Sequence, residues 1–187
     1  MAAARIAVLA SGSGTLLDAI VSDGIPVALV VADRPCRALD VAARHDVAHE
    51  LLERTDWGRS FDRDAYTDQL VKLLRANGID VVVMAGFGTV VPRLPEAFPD
   101  RVLNSHPALL PAFKGWHPVR DALAAGVKVT GTTIHIATAD VDAGPILAQE
   151  PVTVMPDDTE DTLHERIKQV ERRLYPATIR TFLENLT

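Results

Sequence analysis

Apolar runs alternate with helix-periodic segments along the first half of the chain. Each run is continuously apolar and is followed by a helical segment, which is typical of a parallel sheet covered on both faces. Strands are predicted at residues 5–10, 26–32, 47–52, 80–85 and 101–104, and helices at 16–21, 38–45 and 64–76. The predicted fold class is therefore α/β, doubly wound, Rossmann-like, with a mostly parallel sheet.

The pattern changes after Gly126. Residues 129–137 and 146–154 have the pattern of strands and are joined by a turn rich in Asp and Gly, which predicts a C-terminal antiparallel hairpin. A last helix begins at the capping signal 158–161 and is expected to reach about residue 174, where Pro176 predicts a kink or a restart. No repeat or linker interrupts the chain, so residues 1–187 are predicted to form a single domain.

The charge balance restricts the classes of molecule that the protein is expected to bind. The chain has 187 residues, 19 of them basic and 25 acidic, and its net charge of -6 supplies no overall attraction for nucleic acid or an acidic membrane. The single Cys36 excludes an intrachain disulfide, and neither a signal peptide nor an apolar run of membrane-spanning length is visible. These features predict a cytoplasmic protein with small-molecule partners, and they are compatible with a homodimer.

A glycine-containing loop separates the first strand from the first helix. Gly12 and Gly14 would let main-chain N–H groups at the helix N-terminus close around a phosphate. A dinucleotide site is a rival interpretation, because Asp33 stands where a ribose-binding acid belongs, but Leu17 occupies the third glycine position of that fingerprint. A plain strand–helix turn is the third alternative. A monophosphate site is favoured.

A second loop with two glycines, MAGFGT at 84–89, follows the most hydrophobic strand. Gly86 and Gly88 would leave main-chain groups accessible to a planar heterocycle, with Phe87 packed below or beside it. A structural turn explains the same glycines about as well. Ligands of open α/β sheets bind beyond the carboxyl ends of the strands, and this loop, the phosphate loop and the segment after Leu103 are expected at one edge. That shared position favours a binding role.

Three side chains offer the chemistry of acyl or formyl transfer to an amine. Asn104 and His106 lie two residues apart on an extended segment, so both side chains point to the same side, and Pro107 stiffens the loop that follows. Asp142 lies in a turn that Gly144 would fix. An amide can donate to an oxyanion, and an imidazole beside a carboxylate can move protons. The alternative is a histidine that only hydrogen-bonds its own loop.

His135, in the predicted strand 129–137, is expected to orient Asp142 by a hydrogen bond rather than to act directly. A metal cluster of His106, His117, His135 and Asp142 can also be imagined. No two of these histidines have the helical i, i+4 spacing typical of zinc ligands, so no metal is predicted.

Two segments together resemble the folate-dependent formyltransferases: LNSHPALLPAFKGWHP at 103–118 and ADVDAGPILAQ at 139–149. The resemblance extends over nearly the whole chain, from SGSGT at 11–15 to ERRLYP at 171–176. It is greatest to members that transfer a formyl group from 10-formyltetrahydrofolate to the amine of 5′-phosphoribosylglycinamide (GAR) in de novo purine synthesis. The resemblance implies direct attack through a tetrahedral intermediate, with 10-formyltetrahydrofolate as co-substrate and no metal.

The resemblance also implies roles for the matched positions. Asn104 would bind the formyl oxygen, His106 would polarise or protonate it, and Asp142 would hold His106 and relay protons through water. Positions implied in substrate binding, with the phosphate at Gly14 and Thr15 and the ribose at Glu171, are Ser13, Gly14, Thr15, Leu16, Gly86, Pro107 and Glu171. Positions implied in folate binding, with Arg63 near the folate tail, are Arg63, Met84, Phe87, Gly88, Thr89, Val90, Val91, Asn104, Ala139, Asp140, Val141 and Asp142. Lys114 would assist an anionic ligand.

The chain departs from the family's usual pattern around the ligands. Leu16 stands where the phosphate loop usually continues with Asn, and Gly88-Thr89-Val90 replaces Met-Arg-Ile, which removes a cationic side chain near the folate tail. Trp116 differs from the usual short apolar residue. These changes leave open a 10-formyltetrahydrofolate-dependent formyltransferase for another small amine, such as an amino-sugar nucleotide.

Three further functions are disfavoured. Formyltetrahydrofolate deformylase adds an N-terminal domain and methionyl-tRNA formyltransferase adds a C-terminal one, so the length of 187 residues argues against both. A nucleotide-binding regulatory module would use the Gly12 loop but has no need of Asn104, His106 and Asp142.

Overall fold

The computed structural model describes residues 4–58 and 60–186. The chain divides into two compact units, Met1–Leu103 and Asn104–Thr187. Parallel strands build the first unit, and an antiparallel hairpin lies in the second. The predicted α/β fold class is confirmed.

The first unit is built on parallel strands in the order β3-β2-β1-β4. Its strands are β1 Ile6–Ala10, β2 Val27–Ala32, β3 His49–Leu51 and β4 Val81–Met84, and its helices are α1 Thr15–Ser22, α2 Arg37–Arg44, α3 Arg63–Ala76 and α4 Leu94–Ala97. β1 pairs with β2 on one side and β4 on the other, and all of its residues are buried. Burial on both faces explains why this strand is a continuous apolar run.

The second unit contains the end of β5, Val102–His106, which begins in the first unit. It continues with α5 Pro118–Ala124, β6 Val129–Ile136, β7 Ile146–Thr153 and α6 Glu160–Glu184. β6 and β7 pair antiparallel from Val129 opposite Thr153 to His135 opposite Ile146, as predicted. The core around α6 consists of Val119, Val152, Leu163 and Ile167.

The turn between β6 and β7 requires a glycine. A Cβ at Gly144 would lie 1.9 Å from the carbonyl oxygen of Ile136, which is far inside van der Waals contact. Only a residue without a side chain fits this approach. The close turn fixes the main chain two residues after Asp142.

Helix α6 corrects one expectation. It begins at the predicted cap, where Thr159 and Thr162 form a capping box, but it continues through Pro176 to Glu184 instead of restarting. A proline removes one main-chain donor. Tyr175 and Ile179 beside it are buried, so tertiary packing holds the helix together across the proline. The short helices α4 and α5 were not predicted, because each is too brief to show helical periodicity.

Candidate active site

The second unit brings His106 and Asp142 together. Nδ1 of His106 lies 3.3 Å from Oδ2 of Asp142, and Nε2 lies 2.8 Å from the carbonyl oxygen of Phe113. The Phe113 carbonyl accepts a hydrogen bond from Nε2, and the Asp142 carboxylate lies within ion-pair distance of Nδ1. The Gly115 N–H donates to the same Asp142 oxygen at 2.9 Å. Residues 113–115 therefore hold both members of the pair through main-chain atoms.

Asn104 is held by His135. Nδ1 of His135 donates to the Ile136 carbonyl at 3.0 Å, and Nε2 lies 3.1 Å from Nδ2 of Asn104. Burial lowers the pKa of His135 despite the opposing effects of the Ile136 carbonyl and Asp142, so the ring is neutral at neutral pH. Its Nε2 then accepts a hydrogen bond from the Asn104 amide. Oδ1 of Asp142 is farther from Nε2, at 3.7 Å, so the contact expected between His135 and Asp142 is secondary to the one with Asn104.

Two residues at this site have left-handed backbone conformations. The φ angle is 52° at Asp142 and 53° at Phe113. Residues other than glycine rarely adopt this region, and such strain persists only where the surrounding structure holds it. Here the strained residues are the carboxylate that contacts His106 and the carbonyl that accepts from it. The strained local backbone therefore positions the Asp142 carboxylate and the Phe113 carbonyl against His106.

Glu171 of α6 lies beside β5. Burial raises the pKa of its carboxyl, and a hydrogen bond with the Ser105 side chain opposes that shift. Ser105 stands between Asn104 and His106, so strand alternation turns its side chain to the opposite side. The contact of Glu171 with a ribose stays a prediction.

The two glycine loops of the first unit meet at the carboxyl ends of β1 and β4. The Ser11 N–H donates to the Gly86 carbonyl at 3.2 Å, and the Gly88 N–H donates to Oγ of Ser11 at 2.6 Å. The predicted convergence of these two loops is confirmed. Gly86 is exposed with a φ of 70°, and a Cβ there would meet nothing within 4 Å. The second loop is therefore open to a ligand on the side of Gly86.

The candidate phosphate loop is open at one glycine and closed at the other. A Cβ at Gly12 would meet nothing within 4 Å, whereas one at Gly14 would lie 2.8 Å from Cα of Ala38. Gly14 is the N-cap of α1, so the first N–H groups of that helix, at Thr15 and Leu16, have no acceptor within the helix. Such groups suit a phosphate. The Leu16 side chain is buried, so its contribution is limited to main-chain atoms.

Asp33 is engaged inside the protein. Its carboxylate is fully buried and accepts hydrogen bonds from Arg34 at 3.1 and 3.3 Å and from the Thr89 hydroxyl at 2.7 Å. A ribose-binding acid must present its carboxylate to the ligand. The dinucleotide interpretation depended on a ribose contact by Asp33, so the burial of this carboxylate argues against it.

The other predicted ligand residues differ in their exposure. In the first unit, the exposed ones are Ser13, Thr15 and Arg63, and the half-buried or buried ones are Met84, Phe87, Gly88, Thr89, Val90 and Val91. In the second unit, the exposed ones are Ala139, Asp140 and Val141, and Pro107 is half-buried. Their ligand contacts stay predictions.

Two absences concern the described part of the chain. Among residues 4–58 and 60–186, no group of three or more His, Cys, Asp and Glu side chains is placed to hold a metal ion. No helix within those residues combines the length and apolar character needed to cross a membrane.

Sequence reasoning missed Phe113 and Gly115, which contribute a carbonyl and an N–H rather than side chains. Main-chain partners of this kind leave no residue-type signal. The signal that the sequence does carry is Gly115 itself, because its φ of 98° is one that glycine adopts readily.

An amide, an imidazole and a carboxylate grouped at the end of a strand in an α/β chain define an enzyme of direct group transfer. Residues 4–179 match the formyl transferase family, and the chain belongs to that family. Phosphoribosylglycinamide formyltransferase of Mycobacterium tuberculosis is 48% identical over 184 residues, which cover 95% of this chain and 84% of that protein.

Two further proteins agree with this assignment. The Bacillus subtilis protein of the same name is 31% identical over 187 residues, covering 96% of this chain and 94% of the relative. The crystal structure of glycinamide ribonucleotide transformylase 1 from Symbiobacterium toebii superposes with a TM-score of 0.89 at 42% identity, covering 97% of this chain and 88% of that one. The fold and the family predicted from the sequence are thus both confirmed.

Proposed function

We propose that the chain transfers the formyl group of 10-formyltetrahydrofolate to the amine of GAR in de novo purine synthesis. The names of its relatives support the choice of substrate. The observation that carries the chemistry is the network in which His135 holds Asn104 while Asp142 contacts His106. We also propose that residues 1–187 act as one formyltransferase domain, since the family match includes residues of both units.

The network supplies donors where negative charge develops. Attack by the amine on the formyl carbon builds negative charge on the formyl oxygen and positive charge on nitrogen. Asn104 uses one amide N–H for His135 and keeps a second for the oxyanion. The imidazolium of His106 adds a second donor when Nε2 exchanges the Phe113 carbonyl for the substrate. Asp142 holds the imidazolium and accepts the proton that leaves the amine, directly or through water. The tetrahedral intermediate then collapses: the bond between the formyl carbon and N10 breaks, and N10 takes up that proton as tetrahydrofolate leaves.

Features of each unit, taken separately, support the binding of these ligands. 10-formyltetrahydrofolate supplies an electrophilic formyl carbon on a large, partly apolar ring system. Gly86 is open to a heterocycle in the first unit, and in the second unit Val141, with 59% of its surface exposed, offers an apolar cover beside Asp142. The N-terminus of α1, with Gly12 open beside it, suits the phosphate of GAR.

The test is an assay of the purified protein with 10-formyltetrahydrofolate and GAR, beside a panel of other amines that includes an amino-sugar nucleotide. We expect formyl-GAR, identified by its mass, as the main product. Formylation of another amine at a higher kcat/KM than GAR would overturn the choice of substrate. Absence of folate-dependent formylation with every amine would overturn the reaction.

A further inference from the structure

Two side chains of the β6–β7 hairpin hold the loop between β5 and α5, residues 107–117. The Thr133 hydroxyl donates to the Ala108 carbonyl at 2.7 Å and accepts from the Leu110 N–H at 3.0 Å. The side-chain amide of Gln149 donates to the Leu110 carbonyl at 2.8 Å and to the Thr133 hydroxyl at 2.9 Å. Thr133 and Gln149 lie opposite each other in the register of the hairpin. We call these two side chains the hairpin clamp.

The hydrogen-bonding capacity of the clamp is directed at this loop. A hydroxyl has one donor and two acceptor positions, and the contacts of Thr133 account for all three. An amide nitrogen has two N–H donors, and the two contacts of Gln149 match them. Because one of these N–H groups points at the Thr133 oxygen, the hydroxyl proton is left for the Ala108 carbonyl. Gln149 therefore fixes the direction of the Thr133 hydroxyl as well as the position of the Leu110 carbonyl.

An apolar contact fixes the same part of the loop. A Cβ at Gly131 would lie 2.7 Å from Cδ2 of Leu109, so the leucine packs directly on the glycine. Strand alternation places Gly131, Thr133 and His135 on one face of β6. Residues 108–110 therefore lie on the face whose last member, His135, holds Asn104.

The loop returns to the catalytic pair a few residues after Leu110. The Phe113 carbonyl accepts from Nε2 of His106 at 2.8 Å, and the Gly115 N–H donates to Asp142 at 2.9 Å. Asp142 itself lies in the turn between β6 and β7. The hairpin thus acts on both sides of the contact between His106 and Asp142: directly through its turn, and through the clamp and the loop.

We propose that Gln149 is a positioning residue, which acts with Thr133 through the β5–α5 loop to keep the catalytic pair aligned for transfer. The catalytic role of that pair rests on the proposed function. Folding alone gives little reason for the arrangement, because Gln149 is exposed and its amide could donate to water at a similar free energy. Alignment gives a strong reason, since a displacement of about 1 Å at a reacting group can lower a rate by about a hundredfold.

The experiment measures kcat, both KM values and the pH dependence of kcat, and follows the Nε2–H proton of His106 by NMR. Gln149→Met removes both donors and keeps the length of an exposed side chain. Thr133→Val removes the hydroxyl at a similar volume, whereas Thr133→Ser keeps it. The matched controls are Gln169→Met, which changes an exposed glutamine of α6, and Thr130→Val. Within residues 4–58 and 60–186, the buried Thr130 hydroxyl is the buried side-chain polar group without a hydrogen-bond partner.

We expect Gln149→Met and Thr133→Val each to lower kcat by about tenfold or more, with both KM values within about twofold. The pH profile of kcat should shift in both variants, and the His106 proton should exchange faster with water, because the Phe113 carbonyl is no longer held against it. The double variant should lose about as much as the more affected single variant, since both changes act through one loop. Thr133→Ser should recover most of the wild-type kcat, and the two controls should change none of these quantities.

Two results would overturn the inference. One is an unchanged kcat in both Gln149→Met and Thr133→Val. The other is a fall in kcat that leaves the pH profile and the His106 proton as in the wild type, since a loss of folded protein alone produces that result. A wild-type protein that formylates no amine would count against the proposed function. In that case, unchanged exchange of the His106 proton in both variants would still overturn the inference about the clamp.

Discussion

Replacing Asp142 by Asn removes one negative charge and changes little else. The side chain keeps its size and an acceptor oxygen for the Gly115 N–H, which lies 2.9 Å from Oδ2. Asn also tolerates the left-handed backbone that Asp142 adopts at a φ of 52°, whereas Ala would add strain there. The variant therefore isolates the charge of the carboxylate from its place in the turn.

The magnitude follows from the buried contact with His106. At the observed 3.3 Å, an effective dielectric constant of about 20 gives an attraction on the order of 5 kcal/mol between imidazolium and carboxylate. Desolvation offsets part of this attraction, and breaking a buried pair by removing one partner costs about 3–5 kcal/mol. Proton transfer by a positioned group contributes about 10²–10⁴-fold to a rate. We expect kcat to fall by at least about a hundredfold, with a much smaller change in folate affinity.

The assay measures kcat and both KM values for the wild-type and variant proteins from about pH 6 to pH 9, a range that includes the ordinary pKa of histidine. Asp46→Asn is the matched control, because Asp46 is an exposed aspartate with the same left-handed backbone, at a φ of 55°. It should leave all three constants unchanged. If Asp142→Asn kept near wild-type kcat across the whole pH range, the assigned role of Asp142 would be wrong.

Four further outcomes are expected. Asn104→Ala should lower kcat by about a hundred- to a thousandfold, as for a lost oxyanion donor, and an unchanged kcat would refute that role. Gly12→Ala should raise the KM for GAR without lowering Tm, because its methyl group enters open space. Gly14→Ala should lower Tm, because its methyl group clashes with α2. Equal Tm values for the two variants would contradict this difference. Burial lowers the pKa of His135, so below about pH 6.5 the unfolded state binds more protons than the folded state. The free energy of unfolding should therefore fall as the pH drops through that value. Urea unfolding should show this fall in the wild type and less of it in His135→Gln. The pKa of Glu171 is raised, so its contribution to stability should fall as the pH rises above about 4.5, and Glu171→Gln should remove that dependence in the same unfolding series.

The sequence by itself determined the fold class and was enough to propose Asn104, His106 and Asp142 as catalytic residues. β1 and β4 are buried, so their segments are continuous apolar runs that can be recognised without coordinates. Alternation along an extended segment placed Asn104 and His106 on one side. Glycines marked the loops after β1 and β4 and the turn between β6 and β7, where the hairpin requires that Gly144 has no Cβ. These features depend on burial and local backbone conformation, which neighbouring residues encode.

Only the tertiary structure decided which groups became partners. His135 lies closer to Asn104 than to Asp142, and the Phe113 carbonyl accepts a hydrogen bond from His106. Asp33, which matched a ribose-binding acid by spacing, is buried and accepts a hydrogen bond from the Thr89 hydroxyl. Such partners come from segments far apart in the chain, or are main-chain atoms that every residue carries. Their choice depends on distances set by packing, and no local pattern of residue types records those distances.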